Sequence, residues 1–385
     1  MDRLYLTDHL PEIIAQSQDF ESSILNDTVI EDTKVFPISS SEPQQESGLP
    51  HSLMDRYTLD KPLSEGAFGL VWRGRDEKLD REVAIKFFHG GPDREKAAFA
   101  YETRFLSTLE SPGVPAVYDL SNPQDEHSYI VMQLVNGMTL KELITRLKSG
   151  DEDLHQAFHF ARRMELILQL LRILSRIHQS DLLHRDIKPE NLIIDSTGAL
   201  YLIDWGLATT REEIKGKKST SGTPLYMSPE QFLGRDLDVR SDIYGVGAVA
   251  FELLALTHRV QNPESVIDLG IKVVEGNTLN LHFQKHPNQG WVPSEFALPI
   301  TKALSVNPSD RYQSADEMRF EIQQILGGYF AVVCNRTRVK AKLYRYLRWL
   351  DQRPYHHYYM TICVLALSMF ILLGLGVILG MYIQA

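Results

Sequence analysis

Cysteine is nearly absent. There are two in 385 residues, Cys334 and Cys363, too few for a disulfide framework and in keeping with a reducing compartment. The first residues show neither the basic segment nor the apolar core of a secretory leader, so none is expected. Positive charge is also short: 40 lysines and arginines against 50 aspartates and glutamates leave a formal net charge of −10, which argues against a nucleic-acid partner. In the first fifty residues the deficit is extreme, with two basic side chains against ten acidic ones. Together with the polar run Ser39–Ser47, this leaves residues 1–52 too little apolar surface to offset the entropy of ordering. They read as an acidic, disordered tail, with Leu4–Leu6 and Ile13–Ile14 as short patches a partner could use. The rest of the composition, 43% hydrophobic and 23% charged, is that of a globular chain long enough for two domain-sized units.

What is present centres on His184-Arg185-Asp186-Ile187-Lys188-Pro189-Glu190-Asn191. Apolar segments flank this polar run, Leu182–Leu183 before it and Leu192–Ile194 after it. Thirteen residues beyond Asn191, after the strand-like Leu200–Ile203, comes Asp204-Trp205-Gly206. A polar loop between apolar elements brings Asp186, Asn191 and Asp204 close enough to share a divalent ion and a nucleotide, the set that phosphoryl transfer needs. Upstream, Leu63-Ser64-Glu65-Gly66-Ala67-Phe68-Gly69-Leu70-Val71-Trp72 reads as a β-hairpin whose glycines let backbone N–H groups approach phosphates. Arg81–Phe88 reads as an alternating strand, and Lys86 inside it needs a negative partner, because burying it unpaired is expensive. The pattern predicts helices over Lys96–Leu109 and over residues 155–179, the second with Leu166, Ile167, Leu170, Leu171, Leu174 and Ile177 on one face. A polar segment from Leu207 to Gly222 contains Ser219, Thr220 and Ser221; at this length it is either disordered or a switch. It closes on Gly222-Thr223-Pro224-Leu225-Tyr226-Met227-Ser228-Pro229-Glu230.

In order and spacing, from about Tyr57 to Gly327, these stretches resemble the eukaryotic-type Ser/Thr protein kinases, with a bacterial cast. The resemblance implies an α+β, two-lobed protein kinase fold over residues 53–328, with a small β-rich lobe and a larger helical one. It implies ATP and Mg²⁺ as cofactors, Mn²⁺ able to substitute, and protein Ser/Thr hydroxyls as acceptors. Carried over residue by residue, Asp186 orients the acceptor hydroxyl and takes its proton, and Lys188 steadies the phosphoryl group. Asn191 and Asp204 hold the metal. Lys86 clamps phosphates and is held by Glu102, which lies ten residues before Pro112 as in the family; Glu95 is the alternative. The nucleotide site comprises Leu63, Ser64, Gly66, Gly69, Val71, Ala84 and Lys86, with Met132 as gatekeeper and Gln133, Leu134 and Val135 as hinge. Thr223 bonds Asp186 and Lys188, Glu230 pairs with Arg311, and Asp242 braces the catalytic loop. Departures from the family pattern are Ser64 at the first glycine position, Gln133 for an acid at the hinge, and Trp205. Phosphate on Ser219, Thr220 or Ser221, placed by autophosphorylation, would pair with Arg185 and make these residues and Thr223 a regulatory group. Two other readings stay open: a scaffold with the fold but no turnover, and a small-molecule kinase.

Beyond the kinase-like stretch, residues 329–358 are basic and aromatic, with Arg336, Arg338, Lys340, Lys342, Arg345, Arg348 and Arg353. They lead into Met360–Ile383, which has neither charge nor proline over 24 residues. As a helix that is about 36 Å, against a hydrocarbon core of about 30 Å. Residues 359–383 are therefore expected to be a single transmembrane helix, with the basic segment and the kinase-like unit on the cytoplasmic side and lipid as a partner. Gly376 and Gly380 form a GxxxG pattern through which two spans could pack as a homodimer.

Overall fold

A computed structural model describes residue 53 and residues 55–66, 69–88, 92–106, 111–122, 127–216 and 221–329, with scattered positions between 338 and 346. The expected membrane span with Gly376 and Gly380, the tail 1–52, Ser219, Thr220 and most of 329–358 lie outside the described residues. Among the described residues no helix is long and apolar enough to cross a membrane. The described residues up to 323 form one compact unit, and those from 324 onward belong to a second.

Runs of β-branched and aromatic residues build an antiparallel sheet from β1 (Tyr57–Gly66), β2 (Gly69–Asp76), β3 (Arg81–Phe88), β4 (Val117–Leu120) and β5 (Tyr129–Gln133), in the order β1-β2-β3-β5-β4. β3 does not alternate between buried and exposed as its sequence predicts: every residue from Val83 to Phe88 is buried. Both of its faces are covered. Val83, Ile85 and Phe87 join a core with Leu53, Tyr57, Tyr129 and Val131. On the opposite face, with Ala84, Lys86 and Phe88, the latter two meet helix α1 (Pro92–Leu106), Lys86 through Glu102 and Phe88 through Phe99, stacked edge-on at 5.8 Å. α1 starts four residues before the predicted Lys96. Pro92 suits a first turn, because the N–H it lacks has no partner there anyway.

After β6 (Gly137–Thr139) the chain becomes mainly helical. α2 (Leu140–Lys148) begins with a capping box in which Thr139 and Glu142 satisfy each other's backbone N–H groups. The single helix predicted over 155–179 is instead two, α3 (Glu152–Ala157) and α4 (Phe160–Gln179). Buried Arg163 accounts for the break. Its Nε donates to the Phe158 carbonyl at 2.7 Å and its Nη1 to the Leu253 carbonyl at 3.2 Å. Taking Phe158 out of the helix supplies one of those acceptors. Burial pushes this guanidinium down to about 10.

The remaining short strands are β7 (Leu182–Leu183), β8 (Leu192–Asp195), β9 (Leu200–Leu202), β10 (Thr209–Thr210), β11 (Lys285–His286) and β12 (Gly290–Trp291); β6, β8 and β9 form one ribbon, β7 pairs with β10, and β11 pairs with β12. After α5 (Arg211–Ile214) and α6 (Pro229–Phe232) comes α7 (Val239–Ala255), buried without interruption from Ser241 to Ala255. A helix apolar nearly all round belongs in the middle of its lobe, and α7 packs there against α4. Helices α8 (Val266–Val274), α9 (Ser294–Ala303) and α10 (Ala315–Leu326) complete the order.

Candidate active site

The polar loop runs from β7 to β8 through a 3₁₀ turn at Pro189–Asn191. Its backbone is fixed from below by Asp242 of α7. Asp242 Oδ1 accepts the Arg185 N–H at 2.8 Å, and Oδ2 accepts the His184 N–H at 3.0 Å and bonds the His178 ring nitrogen at 2.8 Å. Burial alone would raise the Asp242 carboxyl, but His178 and the two N–H donors outweigh it and hold the group below the usual range. Arg185 is thereby kept at φ +70°, a left-handed conformation unusual for a long side chain. Trp205, buried, sets its ring edge against His184 at 4.9 Å.

Asp186 sits at the centre of a closed set of bonds. Oδ1 accepts the Thr223 N–H at 3.0 Å and its hydroxyl at 2.8 Å. Oδ2 meets Lys188 Nζ at 2.7 Å and Asn191 Nδ2 at 3.2 Å. Lys188 Nζ also donates to Thr223 Oγ1 at 3.0 Å, and Asn191 Nδ2 donates to the Asp186 carbonyl at 3.0 Å. Burial would depress the Lys188 ammonium, but the charge and hydrogen bond of Asp186 more than compensate and raise it.

Lys86 lies between two carboxylates. It reaches Glu102 Oε1 and Oε2 at 2.8 and 2.7 Å, and Asp204 Oδ1 at 3.1 Å. Glu102 is the carboxylate of α1 seen on this lysine, and the Glu95 side chain lies outside the described ones. Lys86 and Glu102 are only 6% and 2% exposed, so removing either would strand a buried charge. Burial pulls Lys86 down, but Asp204 and Glu102 pull it further up and keep the proton on the ammonium. Burial pushes Glu102 up against the pull of Lys86; the direction that governs the site is that of Lys86, which faces two carboxylates. Asp204 itself is held below its ordinary value, burial being outweighed by Lys86 and Lys188.

The nucleotide residues fall beside this triad. Val71 pairs with Lys86 and Met132 with Ala84, so all four share one face across β2, β3 and β5. Leu63 is exposed, and Val71 and Met132–Val135 are half-buried. Ser64 sits exposed opposite Val71, and Gly66 opposite Gly69 at the mouth of the hairpin. Gly69 has a reason of its own to be glycine, since a Cβ there would collide with the Phe87 carbonyl oxygen. At the hinge, the Gln133 N–H is taken by the Ala116 carbonyl at 2.8 Å.

The donor chemistry fits a hard divalent cation. Asp204 offers carboxylate oxygen, and Asn191, whose amide nitrogen is turned to Asp186, offers its amide oxygen. Among the described residues no group of three or more His, Cys, Asp or Glu could hold a metal on its own. Such a pair leaves the rest of a coordination shell to phosphate and water oxygens.

Behind the loop closing at Glu230, Arg311 makes a bidentate pair with that glutamate at 2.6 and 2.7 Å, and the Ser241 hydroxyl adds a third bond at 2.7 Å. Burial would raise Glu230, but Arg311 and Ser241 lower it overall. A carboxyl held low in the folded state adds stability that is complete above its unfolded pKa, about 4.3, and is lost as pH falls through the lower folded value. The stability gap between wild type and Glu230→Gln is therefore expected to be constant at neutral pH and to shrink below about pH 4, as read by denaturant titration at stepped pH. A gap that widened on acidification would refute this sign.

Sequence reasoning missed His178 and Ser241, the two side chains that complete the supports of the loops. His178 left one trace: it falls four residues after Leu174 and seven after Leu171, on the apolar face of α4. Ser221 is exposed, and the Arg185 guanidinium donates to the Leu207 carbonyl at 3.3 Å.

A small antiparallel sheet over a helical lobe, with a lysine–glutamate pair facing an Asp–Lys–Asn loop, defines a phosphotransferase-type fold. The chain belongs to the protein kinase family, residues 57–324 matching the protein kinase domain. It is 34% identical over 274 residues to the serine/threonine-protein kinase PrkC of Bacillus subtilis, an overlap of 70% of this chain and 40% of that protein. It is 31% identical over 291 residues to the serine/threonine-protein kinase PknB of Mycolicibacterium smegmatis, covering 72% and 44% respectively. The chain thus spans about two fifths of the length of the curated relatives it matches.

Proposed function

We propose that this chain transfers the γ-phosphoryl group of ATP to serine and threonine hydroxyls of proteins, and does so tethered to the cytoplasmic face of a membrane. The observation that carries the reading is the connected polar network: Lys86 bridges Glu102 and Asp204, and Asp186 is joined to Lys188, Asn191 and Thr223. Mg²⁺-bound ATP supplies the phosphoryl group and part of the charge neutralisation. For the protein's part, Asp186 orients the acceptor hydroxyl and takes its proton, and Lys188 offsets charge on the transferred group. Lys86 fixes phosphates, Asn191 and Asp204 hold the cation, and the face with Val71, Ala84 and Met132 receives the base. Positioning and charge account for most of such catalysis.

Incubation with radiolabelled ATP and Mg²⁺ or Mn²⁺ is expected to label a generic protein substrate and the chain itself, with phosphoserine and phosphothreonine but no phosphotyrosine on hydrolysis. Absence of label with both metals would leave the scaffold reading standing. Label confined to small molecules would favour a small-molecule kinase. Self-labelling should map to Ser219, Thr220 or Ser221, next to the loop closed by Thr223.

Tethering rests on the uncharged run at 359–383 and the basic segment before it. Full-length protein is expected in the membrane fraction after an alkaline wash, and a chain ending at residue 350 in the soluble one. Equal partition of the two would refute the anchor. Pairing of spans through Gly376 and Gly380 predicts crosslinked dimers in vesicles that Gly380→Leu reduces.

A further inference from the structure

Gln231, one residue past the Glu230 that ends the closing motif, is 3% exposed and uses both ends of its amide, the oxygen in the capping box of its own helix and the nitrogen on two other segments. Its Oε1 accepts the Ser228 N–H at 3.0 Å and the Ser228 hydroxyl at 3.1 Å. Its Nε2 donates to the Arg185 carbonyl at 3.0 Å and to the Ser221 carbonyl at 3.4 Å. These acceptors matter for where they lie. The Arg185 carbonyl belongs to the peptide that carries Asp186, and Arg185 is the residue held at φ +70°. Asp242 grips the N–H side of Arg185 at 2.8 Å, and Gln231 grips the carbonyl side. The Ser221 carbonyl lies two residues before Thr223, whose N–H and hydroxyl both close on Asp186 Oδ1.

We propose that Gln231 is a positioning residue for phosphoryl transfer. Its single carboxamide sets the peptide plane before Asp186 and holds the end of the Leu207–Gly222 segment against it, so that Asp186 is aligned only when Ser221–Thr223 are seated. The inference rests on the kinase reading above and deepens it. A planar amide suits this double grip, having two donor hydrogens for two carbonyls and an acceptor oxygen for Ser228. Glutamate at the same position would keep the acceptor and lose the donors, and would set a negative charge beside two carbonyl oxygens.

The test compares wild type, Gln231→Glu and Gln231→Met at pH 8, each below its melting temperature, by steady-state kinetics and by amide hydrogen exchange. For Gln231→Glu, kcat is expected to fall about tenfold with the KM for ATP unchanged, as the loss of one buried donor predicts. The Thr223 amide should exchange about tenfold faster while that of Ser228 stays protected. Gln231→Met, lacking both ends, should loosen both amides, and it carries the comparison if the glutamate variant does not fold. Unchanged kcat and Thr223 protection in a folded variant would overturn the proposal. So would loosening of Ser228 and Thr223 together in Gln231→Glu with a matching loss of stability, which marks a general structural role. If wild type transfers no phosphate, the kinase reading fails, and the Thr223 and Ser228 amides still decide what Gln231 holds.

Discussion

Asp186→Ala is expected to lower kcat by about two to four orders of magnitude, the range for a positioned acid–base group, with the fold retained. The effect should be large because Asp186 does more than take a proton. Its two oxygens receive Thr223, Lys188 and Asn191, so its loss also leaves the lysine only its bond to Thr223 and the asparagine only its bond to the main-chain carbonyl. ATP affinity should change little, since Lys86 keeps its carboxylates on the other side of the cleft. Single-turnover phosphate transfer with equilibrium nucleotide binding separates the two quantities. A variant within tenfold of wild type would show that Asp186 is not the group at the reacting hydroxyl.

Glu230→Ala is expected to cost about 3–5 kcal/mol of folding stability, because it leaves Arg311, 2% exposed, as an uncompensated buried charge. At about 2–4 °C per kcal/mol for a domain of this size, the melting temperature should fall by roughly 10 °C. Arg311→Lys should lose nearly as much. The arginine fork also serves the carbonyls of Ser305, Val306 and Arg240, and one ammonium cannot copy that fan. Replacing both partners together, Glu230→Leu with Arg311→Met, should recover part of the loss, since no lone charge remains. Denaturant unfolding of wild type, Glu230→Leu, Arg311→Met and the double variant closes a cycle that gives the coupling directly. Single variants within about 0.5 kcal/mol of wild type, as for an ordinary surface substitution, would refute the account.

How far the site was legible depended on distance along the chain. Asp186, Lys188 and Asn191 lie within six residues, so loop geometry alone makes them neighbours, and their spacing could be read directly. The Glu230–Arg311 pair spans 81 positions, and only resemblance to a family connects its members. The break between α3 and α4 was not readable, because the Arg163 that takes the Phe158 carbonyl is buried against Leu253, 90 positions away. β3 misled for a related reason: its alternation is real, but α1 covers the face that would otherwise meet water. Gln231 left no trace, since its Nε2 acceptors are main-chain carbonyls, which look the same under any side chain.

Asp242 and Ser241 are adjacent on α7, yet one moors the loop carrying Asp186 and the other, through Glu230, moors the segment carrying Thr223. The two moorings leave from one helix turn, so a shift of that turn acts on the Asp186 loop and the Thr223 segment together rather than on either alone.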